Sequence, residues 1–286
     1  MRDTDVGGRE TFFARSHVTV IEPTNGWRML DVRELWAYRE LLWALSLRDV
    51  KVRYKQTVLG AAWAVIQPVT AMVIFTIVFG KLAGIPSEGY PYPVFVFAGL
   101  LPWTFFANAI GTIGGSVVGS AHLITKVYFP RLIIPLTSIG SGLVDLAVSS
   151  GVLLVIMLYY RVPWTPNLAA APILLLGLIG TALGVGTLLS ALTVAYRDFR
   201  YVIPFLVQMW LYATPVVYPA SLIPERWRWV LYLNPMAGWI EGFRSAFLGK
   251  PFDLAGLVIS AVVGGLLFLG GVAYFGKVER RFADII

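Results

Sequence analysis

The residue types that carry covalent chemistry are scarce in this chain and poorly spaced for it. It contains no cysteine, which excludes disulfides, thiol catalysis and cysteine-ligated zinc or iron–sulfur clusters. Its two histidines, His17 and His122, stand far apart and in no metal-ligand spacing, so no metal site is expected. No Gly-x-x-x-x-Gly-Lys-Ser/Thr loop occurs. Gly249-Lys250 runs into Pro251 and lacks the earlier glycine, so the chain offers no nucleotide site. Arg197-Asp198 reads as a local charged pair. With no paired carboxylates and no nucleophile–base arrangement, no catalytic residue is assigned and an enzyme is not expected.

One acid is conspicuous by its surroundings. Asp145 is the only charged residue between positions 132 and 160. A lone carboxylate in such a run either relays protons or holds a hydrogen bond inside a helix bundle, and the second role is preferred here.

The elements that must hold these residues are apolar. The 286 residues are 57% hydrophobic and 14% charged, with a mean hydropathy of +0.73. An ordinary soluble domain carries about 25% charged residues, so this surface could not cover itself in water. Residues 56–80, 89–125, 162–196, 201–224 and 254–276 contain no Asp, Glu, Lys or Arg. Together with 132–160 they suggest six membrane spans, near 59–80, 94–118, 132–158, 168–194, 202–219 and 254–276, each long enough for the ~20 residues of a crossing. The mixed charges at the start, without a nearby hydrophobic run, give no reason to expect a cleaved signal.

Net charge is +7, and in a soluble protein that would suggest nucleic acid. Here the cations cluster at span ends, where lipid headgroups and topology account for them, so no nucleic-acid partner is expected. With the N-terminus inside, the inner segments hold Arg48, Lys51, Arg53, Lys55, Lys126, Arg131, Arg197, Arg200, Lys277, Arg280 and Arg281. The short outer loops hold only Lys81 and Arg161, and the longer outer segment adds Arg226, Arg228, Arg244 and Lys250. Both termini are expected on the cytoplasmic side. Glycines in the second to fourth spans, among them Gly111, Gly114, Gly115, Gly119, Gly184 and Gly186, are expected to permit close helix approach.

Two segments fall outside a plain bundle. In residues 31–47, Leu35, Tyr38, Leu42 and Leu45 recur at helical spacing, with Trp36 and Trp43 broadening that face. This predicts an amphipathic helix lying along the membrane surface, with Asp31 a possible N-cap, after a loose lead-in over 1–30. Residues 220–253 read as two short helices broken at Asn234-Pro235, either re-entrant from the outer surface or flat upon it. Their Trp227, Trp229, Tyr232 and Trp239 could be aromatic-belt anchors or walls for a sugar-containing chain.

The stretches 48–69, 97–110, 123–136, 195–219 and 232–244, in this order, resemble the permease subunits of ABC-2-type exporters. The likeness is greatest to the branch that exports bacterial polysaccharides such as O-antigen and teichoic acid. The resemblance implies an all-α membrane protein: a six-span transmembrane domain over 48–286, preceded by an interface helix over 31–47, with re-entrant helices before the last span. It implies a homodimer in the bacterial inner membrane, associated with two copies of a separate ATPase that would bind the ATP and Mg2+. This chain would bind no cofactor itself. The cargo would be a polyprenyl-pyrophosphate-linked glycan. Lys126, Tyr128, Phe129, Pro130 and Arg131 would meet the ATPase, while Arg48, Arg53 and Lys55 would attract the lipid pyrophosphate. Trp63, Trp103, Phe106, Trp210 and Tyr212 would join the path through the dimer seam. An ABC-2 exporter of a drug or lipid, and an ion-coupled carrier or channel, remain the alternatives at this point, with a structural scaffold behind them.

Overall fold

The computed structural model describes residues 32–55, 62–279 and 282, and among them the secondary structure is helical throughout. The lead-in over 1–30 and the first residues of the opening span lie outside the described residues.

The first arm begins as α1 (Val32–Ala37) and continues as α2 (Arg39–Lys55). Backbone bonds from Tyr38 N to Glu34 O (3.2 Å) and from Leu42 N to Tyr38 O (3.0 Å) carry the helix across the junction. It therefore runs past the expected end at 47 and through the basic cluster, which contains no glycine or proline to stop it. Leu35, Tyr38, Leu41, Leu42 and Leu45 pack on an apolar cluster that includes Phe129, Ile133, Ile134, Phe275 and Phe282. The face assigned to lipid thus rests on protein. Trp36 and Trp43 do not widen it, being 70% and 66% exposed on other sides of the helix.

Among the described residues five helices are long and apolar enough to cross a membrane. They are α3 (Trp63–Phe75) with its π-helical continuation Thr76–Leu82; α4 (Tyr92–Gly119); α6 (Ile133–Thr137) joined to α7 (Ile139–Tyr159); α8 (Ala171–Ala195) with the 3-10 turn Pro166–Ala170 before it; and α12 (Leu254–Val278). The short α5 (Ala121–Ile124) follows α4. α4 is the hub: Phe95, Phe97, Phe106, Ile110 and Ile113 are wholly buried, and α3, α7, α8 and the later segment Pro235–Leu248 pack around it.

The remaining expected span, 202–219, is shorter as a helix. α9 (Phe199–Ala213) has 15 residues, about 22 Å at 1.5 Å per residue. Pro215 disfavours a helical Thr214, which is extended at φ −110° and ψ 140°. Beyond it come α10 (Glu225–Tyr232) and α11 (Pro235–Leu248), divided at Asn234-Pro235 as the sequence suggests. The Asn234 side chain caps α11 by accepting from Met236 N at 3.1 Å, with Pro235 at the first helical position.

Glycine works in two ways. α8 and α12 touch backbone to backbone at Gly184 and Gly271, where a Cβ on Gly184 would meet the Phe268 backbone at 2.4 Å. Gly111, Gly115 and Gly119 do the opposite, contrary to the expectation of close packing: a Cβ on any of them would meet nothing within 4 Å. These three lie on one stripe of α4 that the chain leaves uncovered.

Candidate functional site

Two polar assemblies stand out. In the first, Arg53 on α2 reaches α7, where its Nη2 lies 2.6 Å from Asp145 Oδ2 and its Nη1 donates to Ser141 Oγ at 3.3 Å. Tyr54 Oη donates to the other carboxylate oxygen of Asp145. Burial, reinforced by that hydrogen bond and the carboxylate charge, pushes the Tyr54 phenol up to about 12, so it stays a donor at neutral pH. These groups border a cavity of about 170 Å3 whose other walls include Trp63, Gln67, Asn108 and Thr104. A guanidinium, a carboxylate, two amides and an indole around one cavity can hold hydroxyls or an anionic oxygen. Nothing in the group forms a nucleophile–base pair.

The cavity opens onto the uncovered side of α4. Thr104 and Asn108 line it, and Gly111, Gly115 and Gly119 continue the same face at helical spacing. The glycines line a second groove, of about 410 Å3, shared with Thr193, Arg200 and Pro204.

In the second, Arg244 on α11 is wholly buried. Its Nη2 donates to Val216 O at 2.5 Å, and its Nη1 donates to Tyr218 O at 3.2 Å and to Glu241 Oε1 at 2.8 Å. Its guanidinium lies 3.8 Å from the centre of the Phe95 ring, against Gly99, where a Cβ would come within 2.8 Å of Nη2. Only its Nε lacks a partner. The carbonyls that α9 would have used to continue as a helix go instead to this side chain. Asn234 ties the same region together: it accepts from Trp210 Nε1 (2.8 Å) and donates to Thr214 Oγ1 (2.8 Å). Nearer the surface, Glu88 pairs with Lys250 and accepts from Ser221 Oγ at 2.6 Å.

The expected path residues divide. Trp103 and Phe106 are buried in the core, and Phe106 meets the half-buried Trp210 edge to face at 5.1 Å. Tyr232 and Trp239 are buried too, donating to Asp253 Oδ2 (2.7 Å) and Thr181 Oγ1 (3.0 Å). Trp63, Tyr212, Trp227 and Trp229 are exposed. Arg48 pairs with its neighbour Asp49 at 2.8 Å, and Lys55 is exposed. In the 123–131 loop, Lys126 and Tyr128 are exposed, Pro130 is half-buried and Phe129 is buried in the cluster with Ile133, Phe275 and Phe282. The Arg131 backbone N–H donates to Glu279 Oε1 at 3.2 Å, and its side chain to the Glu279 carbonyl, so the loop is tied to the end of α12.

Sequence reasoning placed Arg244 among the outer-loop charges, whereas the fold encloses it. The signal was the i, i+3 pair Glu241–Arg244 inside the otherwise apolar run Trp239–Leu248.

The sequence profile of the family described as ABC-2 type transporter matches residues 40–248. The chain belongs to that family. It is 30% identical over 260 residues to the O-antigen export system permease protein RfbA of Myxococcus xanthus, covering 89% of this chain and 98% of that one. It is 29% identical over 248 residues to the protein of the same name from Klebsiella pneumoniae, covering 86% and 95%. A 24% identity over 253 residues, covering 84% and 95%, relates it to the polysialic acid transport protein KpsM of Escherichia coli.

Proposed function

We propose that this chain is the permease subunit of an ATP-driven exporter that moves a lipid-linked cell-surface polysaccharide outward across the bacterial inner membrane. Full-length similarity to permeases named for O-antigen export and polysialic acid transport supports the cargo class.

The observation that carries the reading is the uncovered face of α4. Hydrocarbon would offer no polar partner to the Asn108 amide or the Thr104 hydroxyl, and the bare glycine stripe leaves room for another surface to pack closely, so this face belongs against a second copy of the chain or along a wet path between the two. In this reading two permeases form the path at their seam, with the exposed Trp63 and Tyr212 beside it. Arg48, Arg53 and Lys55 receive the pyrophosphate head at the inner surface.

Both termini lie in the cytoplasm, and 1–30 forms a cytoplasmic lead-in to the interface helix and the transmembrane domain. α9 with Thr214–Tyr218 completes a sixth crossing, and α10 and α11 dip back from the outer surface. ATP and Mg2+ are bound by two copies of a separate ATPase, which meet the exposed Lys126 and Tyr128 of the 123–131 loop.

The test is surface display of the glycan in cells lacking their own permease. The chain supplied with its ATPase should restore display. An ATPase unable to hydrolyse nucleotide should abolish it. Display that persists with the inactive ATPase would overturn the mechanism.

A further inference from the structure

The outer half of the α3–α7 face holds a groove that neither the inner cavity nor the open side of α4 uses. Its volume is about 540 Å3, and its walls include Met72, Thr76, Ile77, Val155 and Tyr159, with Lys81 at one end. Ligand sites commonly span about 300–1,000 Å3. The backbone explains why the groove is there. From Thr76 to Leu82 the helix winds with π geometry, its last turn marked by Ala83 N donating to Val78 O at 2.9 Å. π-helical turns concentrate at functional sites. Gly80 presses on the Tyr92 ring, where a Cβ would lie 2.8 Å away, so this wide turn leans on α4. The outer end of α7 stands off, with Val155 68% and Tyr159 80% exposed.

The lining is apolar along its length and cationic at its end. None of the residues around it is acidic. Tyr159 and Tyr160 meet edge to face at 5.1 Å beside it, and Arg161 follows directly. An apolar trough capped by an ammonium and two phenols fits an acyl chain joined to a phosphate. Such a chain would lie against Met72, Ile77 and Val155, and its phosphate would take hydrogen bonds from Lys81 Nζ and the phenols at headgroup level.

We propose that this groove holds one anionic phospholipid per chain. Apolar walls alone would suit a second copy of the protein equally well, and the Lys81 ammonium, with no acidic residue in the lining to pair it, favours the lipid with its anionic head. The inference needs a bilayer and an interface near Lys81, and it is independent of the cargo.

The test is native mass spectrometry of the purified, delipidated protein titrated with phosphatidylglycerol or phosphatidylcholine. The protein should take up one phosphatidylglycerol per chain, with phosphatidylcholine about tenfold weaker. Lys81→Glu should erase that preference, and Ile77→Trp, which fills the trough without altering charge, should remove both adducts. Equal binding of the two lipids, or adducts that survive both substitutions, would overturn the proposal. So would disulfide cross-linking of two copies through Ile77→Cys in membranes, because protein would then occupy the groove. None of these readouts involves export, so the lipid site and the exporter can fail separately.

Discussion

Two arginine–carboxylate pairs, an inner and an outer one in the proposed orientation, are built to opposite specifications. Arg244 and Glu241 lie on one helix, three residues apart, in a setting where the guanidinium touches no solvent and two backbone carbonyls join the carboxylate as acceptors. Arg53 and Asp145 come from different helices, and the Arg53 side chain is 38% exposed beside a cavity. The outer pair holds an irregular backbone segment in shape. The inner pair leaves charge within reach of something that enters. Desolvation decides the matter: a buried ion loses hydration worth several kcal/mol and needs every partner, while a half-exposed one keeps its water and can exchange it.

The same substitution at both arginines separates the roles. Arg244→Gln removes the charge that Glu241, Val216 O and Tyr218 O converge upon, leaving a carboxylate and two carbonyls short of donors. Loss of one partner from a buried pair costs about 3–5 kcal/mol. In detergent, the variant should show a large fall in the unfolding midpoint or fail to yield monodisperse protein. If Arg244→Gln melts with the unsubstituted protein, the outer pair is no staple.

Asn234→Ala should come next. It deletes the α11 cap, about 1 kcal/mol, and the bonds to Trp210 and Thr214, about 1 kcal/mol each. The midpoint should fall by less than for Arg244→Gln, with added quenching of the Trp210 environment. Arg53→Gln should reverse the pattern. Stability should fall by less than for Arg244→Gln, because Tyr54 still donates to the largely buried Asp145, yet glycan display should drop by about tenfold at equal protein level, as expected for loss of one charge-assisted hydrogen bond. Normal display in this variant would leave the inner pair a structural contact like the outer one.

Much of this contrast was invisible in the sequence for a physical reason. Long uncharged runs report the bilayer directly, so five of the long helices fall within a few residues of their expected positions, and the break at Asn234-Pro235 announces itself through proline and a capping side chain. The shortened α9 depends on Pro215 and on an arginine about thirty residues away, and a local hydropathy window carries no such long-range term. The arm made of α1 and α2 shows the same limit. Its apolar spacing was legible, but whether Leu35 and Leu42 face lipid or protein depends on α6 and α12, far along the chain. The Arg53–Asp145 pairing joins positions ninety-two apart, and only the fold brings them together.

The smallest effect concerns the rim of the outer network, where Glu88 pairs with Lys250. Burial alone would raise the Glu88 carboxyl, but hydrogen bonds from Lys250 and Ser221 and the charges of Lys250 and Arg244 outweigh it, holding it below its ordinary value of 4.5. A carboxylate with a depressed folded value contributes stability above its unfolded pKa, and loses it as pH falls through the lower folded value. The unfolding midpoint should therefore be insensitive to this group near neutrality and decline from about pH 4.5 downward. Glu88→Gln should lower the midpoint at pH 7 by the equivalent of under about 1 kcal/mol, because the pair is partly exposed. It should also flatten the acid limb. An acid limb that is unchanged in Glu88→Gln would assign the pH response to other carboxylates. It would also restrict the outer staple to the sealed Arg244 core, sharpening the contrast with the open pair at the inner end.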